Sequence, residues 1–227
     1  MKSENHSNAA KPAANPTPTG ILSGKSIAIR PAGKDDAFFI ARNILSAAGF
    51  YGSKAIPADK MSDVFTEICG MEDTLYSWKR TTIVCVDGSS AGSLTAYDGA
   101  LYKDLKKKTS DLIRKHVYSD VCSGNGDDAS ENDLTYDFFA NWKDETRPGE
   151  YYLDSLTILP EYRYHRLGKI LVDHALEVAQ GLGFNLVSLI VSENKIWLRE
   201  YYSSCGFHPE GHLMFFGDTY MRMVQEL

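Results

Sequence analysis

The run EYRYHRLGK at residues 161–169 gathers Arg163, His165, Arg166 and Lys169 into one short stretch. What flanks it decides what it can do. Residues 151–159, YYLDSLTIL, are mostly apolar on both faces, the pattern of a buried central strand. Pro160 ends that strand, because proline has no N–H to give to a ladder. Beyond the loop, Leu171, Ala175, Val178 and Leu182 recur at helical spacing and mark one apolar stripe. The basic loop therefore opens a helix, where backbone N–H groups lack partners and the dipole end is positive. Such an end, ringed by positive side chains, is an anion site suited to a phosphate or pyrophosphate. The expected backbone donors run from Tyr164 through Leu167 and Gly168 to Lys169.

The rest of the chain supplies what holds this unit. Residues 1–24 are rich in Asn, Ala, Pro, Ser and Lys and read as a disordered tail. They lack the apolar core of a signal peptide, which points to the cytoplasm. Residues 25–227 read as one domain. Residues 26–30 alternate as a first strand, closed by Pro31. Asp35 or Asp36 caps a helix that stops at Gly49 and turns Phe39, Ile40, Ile44 and Ala47 inward. A second helix over 60–69 turns Val64, Phe65 and Ile68 inward. Phe50, Tyr51 and Tyr76 are candidates to line a pocket or to cover the core. Residues 81–86 and 91–97 form a hairpin across Asp87-Gly88. A helix over 101–117 carries lysines interspersed with Asp104 and Asp111, a solvated face. Residues 120–150 form an acidic insertion in which LTYDFFANW can dock as a short helix. Residues 186–191, LVSLIV, are a second buried strand. Ser192 or Asn194 then starts a helix through Ser204, capped by Gly206. Strands over 208–216 and 219–224 turn at Gly217-Asp218.

Composition narrows the classes. Hydrophobic residues make up 43% and charged residues 24% of 227, as in an ordinary globular chain. No apolar run approaches a membrane span. A net charge of -6 argues against a nucleic-acid partner and suits a cationic one. The four cysteines, Cys69, Cys85, Cys122 and Cys205, are scattered with no metal-binding spacing.

Two motifs in this order resemble the GNAT N-acetyltransferase family. LTILPEYRYHRLGKIL is similar to its acetyl-CoA-binding motif, where an apolar strand, often with a proline, precedes Arg/Gln-x-x-Gly-x-Gly/Ala at the start of a helix. Arg163 matches the first position and Gly168 the last, while Arg166 stands where the family has its first glycine. Tyr202 has the family's spacing to Gly206-Phe207; Asn194 lies one residue further from Tyr202 than is typical, so Tyr201 competes. The resemblance covers residues 150–227 clearly and the first half in element order. It implies an α/β fold, a single GNAT-like domain whose mixed, twisted central sheet is flanked by helices. It implies acetyl-CoA as co-substrate, entering where two parallel strands splay, and acetyl transfer to a primary amine on a small cationic molecule or a lysine side chain. In that reading residues 163–169 hold the pyrophosphate, Leu156, Thr157 and Ile158 align the thioester, and Asn194 contacts CoA. Tyr202 protonates the departing thiolate, and Asp154 takes the amine proton, with Glu150 as its rival. No metal is required, no membrane or nucleic acid is a partner, and homodimerisation stays open. Arg166 in place of glycine keeps a second reading, a non-catalytic CoA-binding module of GNAT type. A phosphate-binding regulatory domain unrelated to CoA is a third, opposed by the Asn194/Tyr202 helix.

Overall fold

Side chains two residues apart on a strand share a face, and this chain uses both faces. Ile83, Cys85, Tyr97 and Tyr152 pack into one buried cluster, whereas Val84, Val86, Ala96 and Leu153 pack into another. Each face needs its own helical cover, so the architecture is a three-layer α/β sandwich. The structure is a computed structural model, and it describes residues 24–48, 58–121 and 142–227. Residues 122–141 of the acidic insertion, with most of its expected short helix, and Phe50 and Tyr51 lie outside the described residues.

Strand β1 (Ile27–Pro31) leads to helices α1 (Ala37–Ala48) and α2 (Ala58–Gly70). Strands β2 (Thr81–Val86) and β3 (Ser89–Asp98) form the expected hairpin. Helix α3 (Tyr102–Val121) precedes β4 (Tyr151–Ile158). Helix α4 (Leu167–Gly181), β5 (Leu186–Ser192) and α5 (Ile196–Ser204) follow, then the antiparallel pair β6 (His208–Phe215) and β7 (Asp218–Glu226). The seven strands are ordered β1-β2-β3-β4-β5-β7-β6, and β4–β5 is the parallel pair. Ile40, Ile44, Phe65 and Ile68 of α1 and α2 cover the first face; Leu171, Val172 and Ala175 of α4 cover the second. Among the described residues no helix is long and apolar enough to cross a membrane. Cys69, Cys85 and Cys205 are buried free thiols.

Three details differ from the sequence expectation. Leu182 is 65% exposed, because α4 ends at Gly181 and Leu182 sits past the last turn; Leu167, Val172 and Ala179 complete the stripe instead. Helix α5 starts at Ile196, not at Ser192 or Asn194, because Ser192 is still paired in β5 with Tyr220. Helix α3 runs on to Val121, beyond the expected end.

Two irregularities shape the centre of the sheet. β4 pairs with β5 only at Tyr151↔Val187 and Tyr152↔Ser188, so residues 153–158 have no partner on that side. On the other side the β3–β4 register shifts between Thr95/Ser155 and Ala96/Leu153, leaving Asp154 as the extra residue of a β-bulge. Leu153 and Leu156 consequently pack on the same face although they are three apart.

A buried ion pair stands at the point where the strands part. Arg222 of β7 donates from Nη2 to Glu150 Oε1 at 2.6 Å and from Nε to Glu210, and the pair is sealed from solvent. Ser188 of β5 and Thr146 donate to the other Glu150 oxygen at 2.9 and 3.1 Å. Burial favours the neutral acid at Glu150, but Arg222, Ser188 and the Arg147 N–H outweigh it and hold its pKa below the usual carboxylate value. The backbone N–H of Gly99 donates to the Glu150 carbonyl at 2.8 Å, and a Cβ on Gly99 would lie 2.2 Å from the Arg147 carbonyl oxygen. Arg222→Met strands the Glu150 charge, so it is expected to cost roughly 3–5 kcal/mol in urea unfolding. Gly99→Ala is expected to cost roughly 1–3 kcal/mol by overpacking.

Candidate active site

The loop between β4 and α4 is built on two left-handed residues. Tyr164 has φ 66° and Arg166, the N-cap of α4, has φ 60°. Arg166 therefore adopts the backbone geometry that glycine adopts freely, and it does so at the cost of a Cβ contact. The first helical hydrogen bond is donated by Ile170 to the Arg166 carbonyl, so the N–H groups of Leu167, Gly168 and Lys169 precede it. Arg163 reaches back to donate to the Ile158 carbonyl at 3.1 Å and ties the loop to the end of β4. Lys169 pairs with Asp173 at 2.7 Å, one turn along the helix. Arg163, Tyr164, Arg166 and Lys169 are exposed, and His165 is half-buried.

The gap between β4 and β5 opens beside this loop. Along residues 153–158 alternate N–H and C=O groups face the gap with no β5 partner. Leu156 and Ile158 pack toward α4, whereas Thr157 donates to the Asn43 carbonyl of α1 at 2.9 Å. Asn43 in turn donates to Ser93 at 2.8 Å, which pins α1 to the sheet. A slot with free main-chain groups at its side and an anion loop at its mouth can hold an extended ligand that ends in phosphate.

The expected catalytic groups lie on opposite faces of β4. Asp154 points to the α1–α3 side, where it accepts from Tyr97 at 2.6 Å and from Ser155 at 3.0 Å. Tyr202 belongs to the other cluster, with Leu153 of β4 and Val187 and Leu189 of β5, and meets Phe207 edge-on at 5.9 Å. The β4–β5 gap is where the two faces communicate. Tyr201 packs against the same cluster, its hydroxyl buried against α4, 2.8 Å from where a Cβ on Gly168 would be and without a hydrogen-bond partner. Burial raises both tyrosine pKa values, so both hydroxyls keep their protons at neutral pH. Asn194 is exposed in the turn before α5, and His174 is half-buried on α4. Glu150 is committed to Arg222, whereas Asp154 accepts from Tyr97 and Ser155.

A second carboxylate was not singled out by the sequence. Glu145 is buried below the start of β4 and accepts from Tyr152 at 2.7 Å, Tyr102 at 3.0 Å and Trp142 at 3.3 Å. Burial is the main cause that pushes Glu145 up to about 7, aided by the Asp154 charge; burial likewise pushes Asp154 up to about 6. Its position within a generally acidic run hid it, since nothing in the spacing separates it from Asp144. Among the described residues no group of three or more His, Cys, Asp and Glu could hold a metal ion.

Residues 135–207 match the model of the Acetyltransferase (GNAT) family. Among solved structures, one described as an acetyltransferase is 24% identical, with 88% of this chain and 98% of that chain covered and a TM-score of 0.67. An N-acetyltransferase from Staphylococcus aureus Mu50 is 19% identical, with 87% and 99% covered and a TM-score of 0.69. The fold is shared with both over nearly their whole length. No curated protein matches the sequence.

Adding a methyl group at Gly168 drives it into the Tyr201 hydroxyl. Gly168→Ala is expected to lower the melting temperature and CoA affinity, and Tyr201→Phe is expected to restore part of both by removing that oxygen. The two raised carboxyls also carry a pH signature. Their folded pKa values exceed the unfolded ones, so the unfolded chain binds fewer protons between about pH 4 and 7. Their contribution to stability is therefore present at low pH and is lost as pH rises through about 6 and 7. Denaturation from pH 5 to 8 is expected to show that loss, and Asp154→Asn combined with Glu145→Gln to flatten it.

Proposed function

We propose that this chain, which contains a GNAT acetyltransferase domain, moves an acetyl group from acetyl-CoA directly to a primary amine. The observation that carries the reading is the unpaired edge of β4 ending at an anion loop, with a carboxylate on one face of the strand and a buried tyrosine on the other. The anion loop, residues 163–169, suits the pyrophosphate. The edge of Leu156, Thr157 and Ile158 suits the pantetheine amides and the thioester. When bound, the cofactor supplies the activated acetyl carbon.

Each residue then has a defined task. Asp154 accepts the proton that the ammonium must lose before its nitrogen can attack, directly or through a water, and its raised pKa improves it as a base near neutral pH. A main-chain N–H on the unpaired edge of β4 is suited to receive the charge that develops on the carbonyl oxygen. The C–N bond forms and the C–S bond breaks; the Tyr202 hydroxyl gives its proton to the sulfur and is restored by the second proton that the acylated nitrogen sheds. Asn194, in the turn before α5, is suited to hold the CoA arm. The acceptor is a cationic small amine or a lysine side chain, drawn by the acidic chain and by Asp154.

Free-thiol release with acetyl-CoA over a panel of amines tests the reading; CoA binding without release for any amine would leave a non-catalytic module. Calorimetry is expected to show weaker binding of dephosphorylated pantetheine than of CoA, and equal affinities would remove the anion loop from the site. Tyr202→Phe is expected to lower kcat roughly 100-fold with CoA affinity nearly unchanged. A large loss of kcat in Tyr201→Phe instead would move the acid one residue back.

A further inference from the structure

Large apolar side chains that a folded chain leaves in water mark a contact surface when they gather in one place. Ile196 and Trp197 are each 58% exposed at the start of α5, and Tyr164 is 56% exposed in the loop before α4. Topology brings them to one end of the molecule. β4 and β5 are parallel; the loop with Tyr164 follows the end of β4, and α5 follows the end of β5. Those ends lie beyond the last β4–β5 pair, where the strands part, so the starts of α4 and α5 both border the gap.

The packing of α5 on α4 locates Trp197 more closely. Burial raises the Cys205 thiol pKa, and the nearby Lys169 ammonium offsets part of that rise. Tyr201, one turn back along α5, sets its hydroxyl against Gly168. Trp197 is one further turn back, four residues from Tyr201 and on the same side of the helix. Stepping toward the start of α5 thus moves from Lys169 to Gly168 and on toward the anion loop. Helical side chains lean toward the N-terminus, which carries the indole further that way. The charge around it is positive. Arg163 is spent on the Ile158 carbonyl and Lys169 on Asp173. Arg166, held at φ 60° at the N-cap of α4, forms no ion pair with a described residue, and Lys195 is exposed at the N-cap of α5.

We propose that Trp197 is a co-substrate-binding residue whose indole stacks on the adenine base of CoA, so that the protein takes its acyl group from free CoA rather than from a phosphopantetheine thioester that lacks the nucleotide. The inference rests on the acetyl-transfer reading above. The slot along β4 takes the pantetheine arm and residues 163–169 take the pyrophosphate, which leaves the nucleotide outside the gap, on the side of the start of α5. A purine nucleotide presents a flat face and attached phosphates. An exposed indole beside uncommitted positive charge matches both. A second copy of this chain is the poorer occupant. Three side chains fall far short of the about 800 Å2 per partner that a stable interface buries, and the positive rim would face itself across a two-fold contact.

Calorimetry on the full chain tests this with CoA, with adenosine 3′,5′-bisphosphate, which is the nucleotide end alone, and with 4′-phosphopantetheine, which lacks the nucleotide. Trp197→Ala is expected to weaken CoA and the bisphosphate roughly 10- to 100-fold, the range for one base stacked on one aromatic ring, and to leave 4′-phosphopantetheine unchanged. Trp197→Phe keeps a ring and is expected to retain most of the affinity. Both variants are expected to melt with the wild type, because the indole is mostly exposed. The bisphosphate is expected to quench the fluorescence of the wild type and not that of Trp197→Phe, since Trp78 and Trp142 pack on the other face of the sheet. Unchanged CoA affinity in Trp197→Ala, or an equal loss for 4′-phosphopantetheine, overturns the proposal. CoA binding that depends on Trp197 without thiol release for any amine retains this inference and sinks acetyl transfer. Thiol release with a CoA affinity indifferent to Trp197 does the reverse.

Discussion

The buried pair between Arg222 and Glu150 is the constraint on which the central geometry depends. Glu150 immediately precedes β4, and its carboxylate is gripped from β7 by Arg222 and from β5 by Ser188. The grip lies next to Tyr151 and Tyr152, the residues of β4 that pair with β5. Fixing the strands at one end and leaving them unpaired beyond it is what makes a wedge rather than a continuous parallel ladder. A half-removed buried pair is far costlier than an exposed one, so this vertex is strongly held. Gly99 contributes from β3's end by leaving room for the 146–150 segment to pass.

A wedge in the middle of a sheet has a consequence that no pocket on its surface would have. It joins the two helical layers through the sheet. The carboxylate side, with Asp154 and the tyrosines, belongs to the α1–α3 layer, and the loop and α5 belong to the other. A donor molecule and an acceptor can thus approach from different layers and meet at one strand. The bulge at Asp154 matters here, because an uninterrupted strand would place residues 154 and 156 on the same face. With the bulge, Leu156 packs with Leu153 and Asp154 keeps the tyrosine side.

The tyrosine layer also accounts for the unusual ionisation of its carboxyls. Burial is the dominant cause at both Glu145 and Asp154, and the hydroxyls that donate to them only partly offset it. The same carboxyls raise the pKa values of Tyr76, Tyr97 and Tyr152 further after burial has raised them. Hydroxyl and carboxyl groups here are therefore mutually locked in donor and acceptor roles.

How much of this was legible in the chain follows from the range of the forces involved. The strand at 151–158, the anion loop and α4 were readable because apolar periodicity, Pro160 and the cluster of Arg163, Arg166 and Lys169 are local signals. The order of strands and helices was readable for the same reason. Arg166 was visible as a departure from glycine, but its φ of 60° was not, since only the loop's closure forces it. The choice between Tyr201 and Tyr202 rested on counting; in the fold both pack against the same cluster, Tyr202 within it and Tyr201 with its hydroxyl beside Gly168 at the start of α4. Glu145, Glu150 and Asp154 looked alike in sequence, three acids within ten residues of chain. Tertiary structure gave one an arginine, one a bulge and one a ring of tyrosines, because only long-range packing decides which buried charge meets a partner.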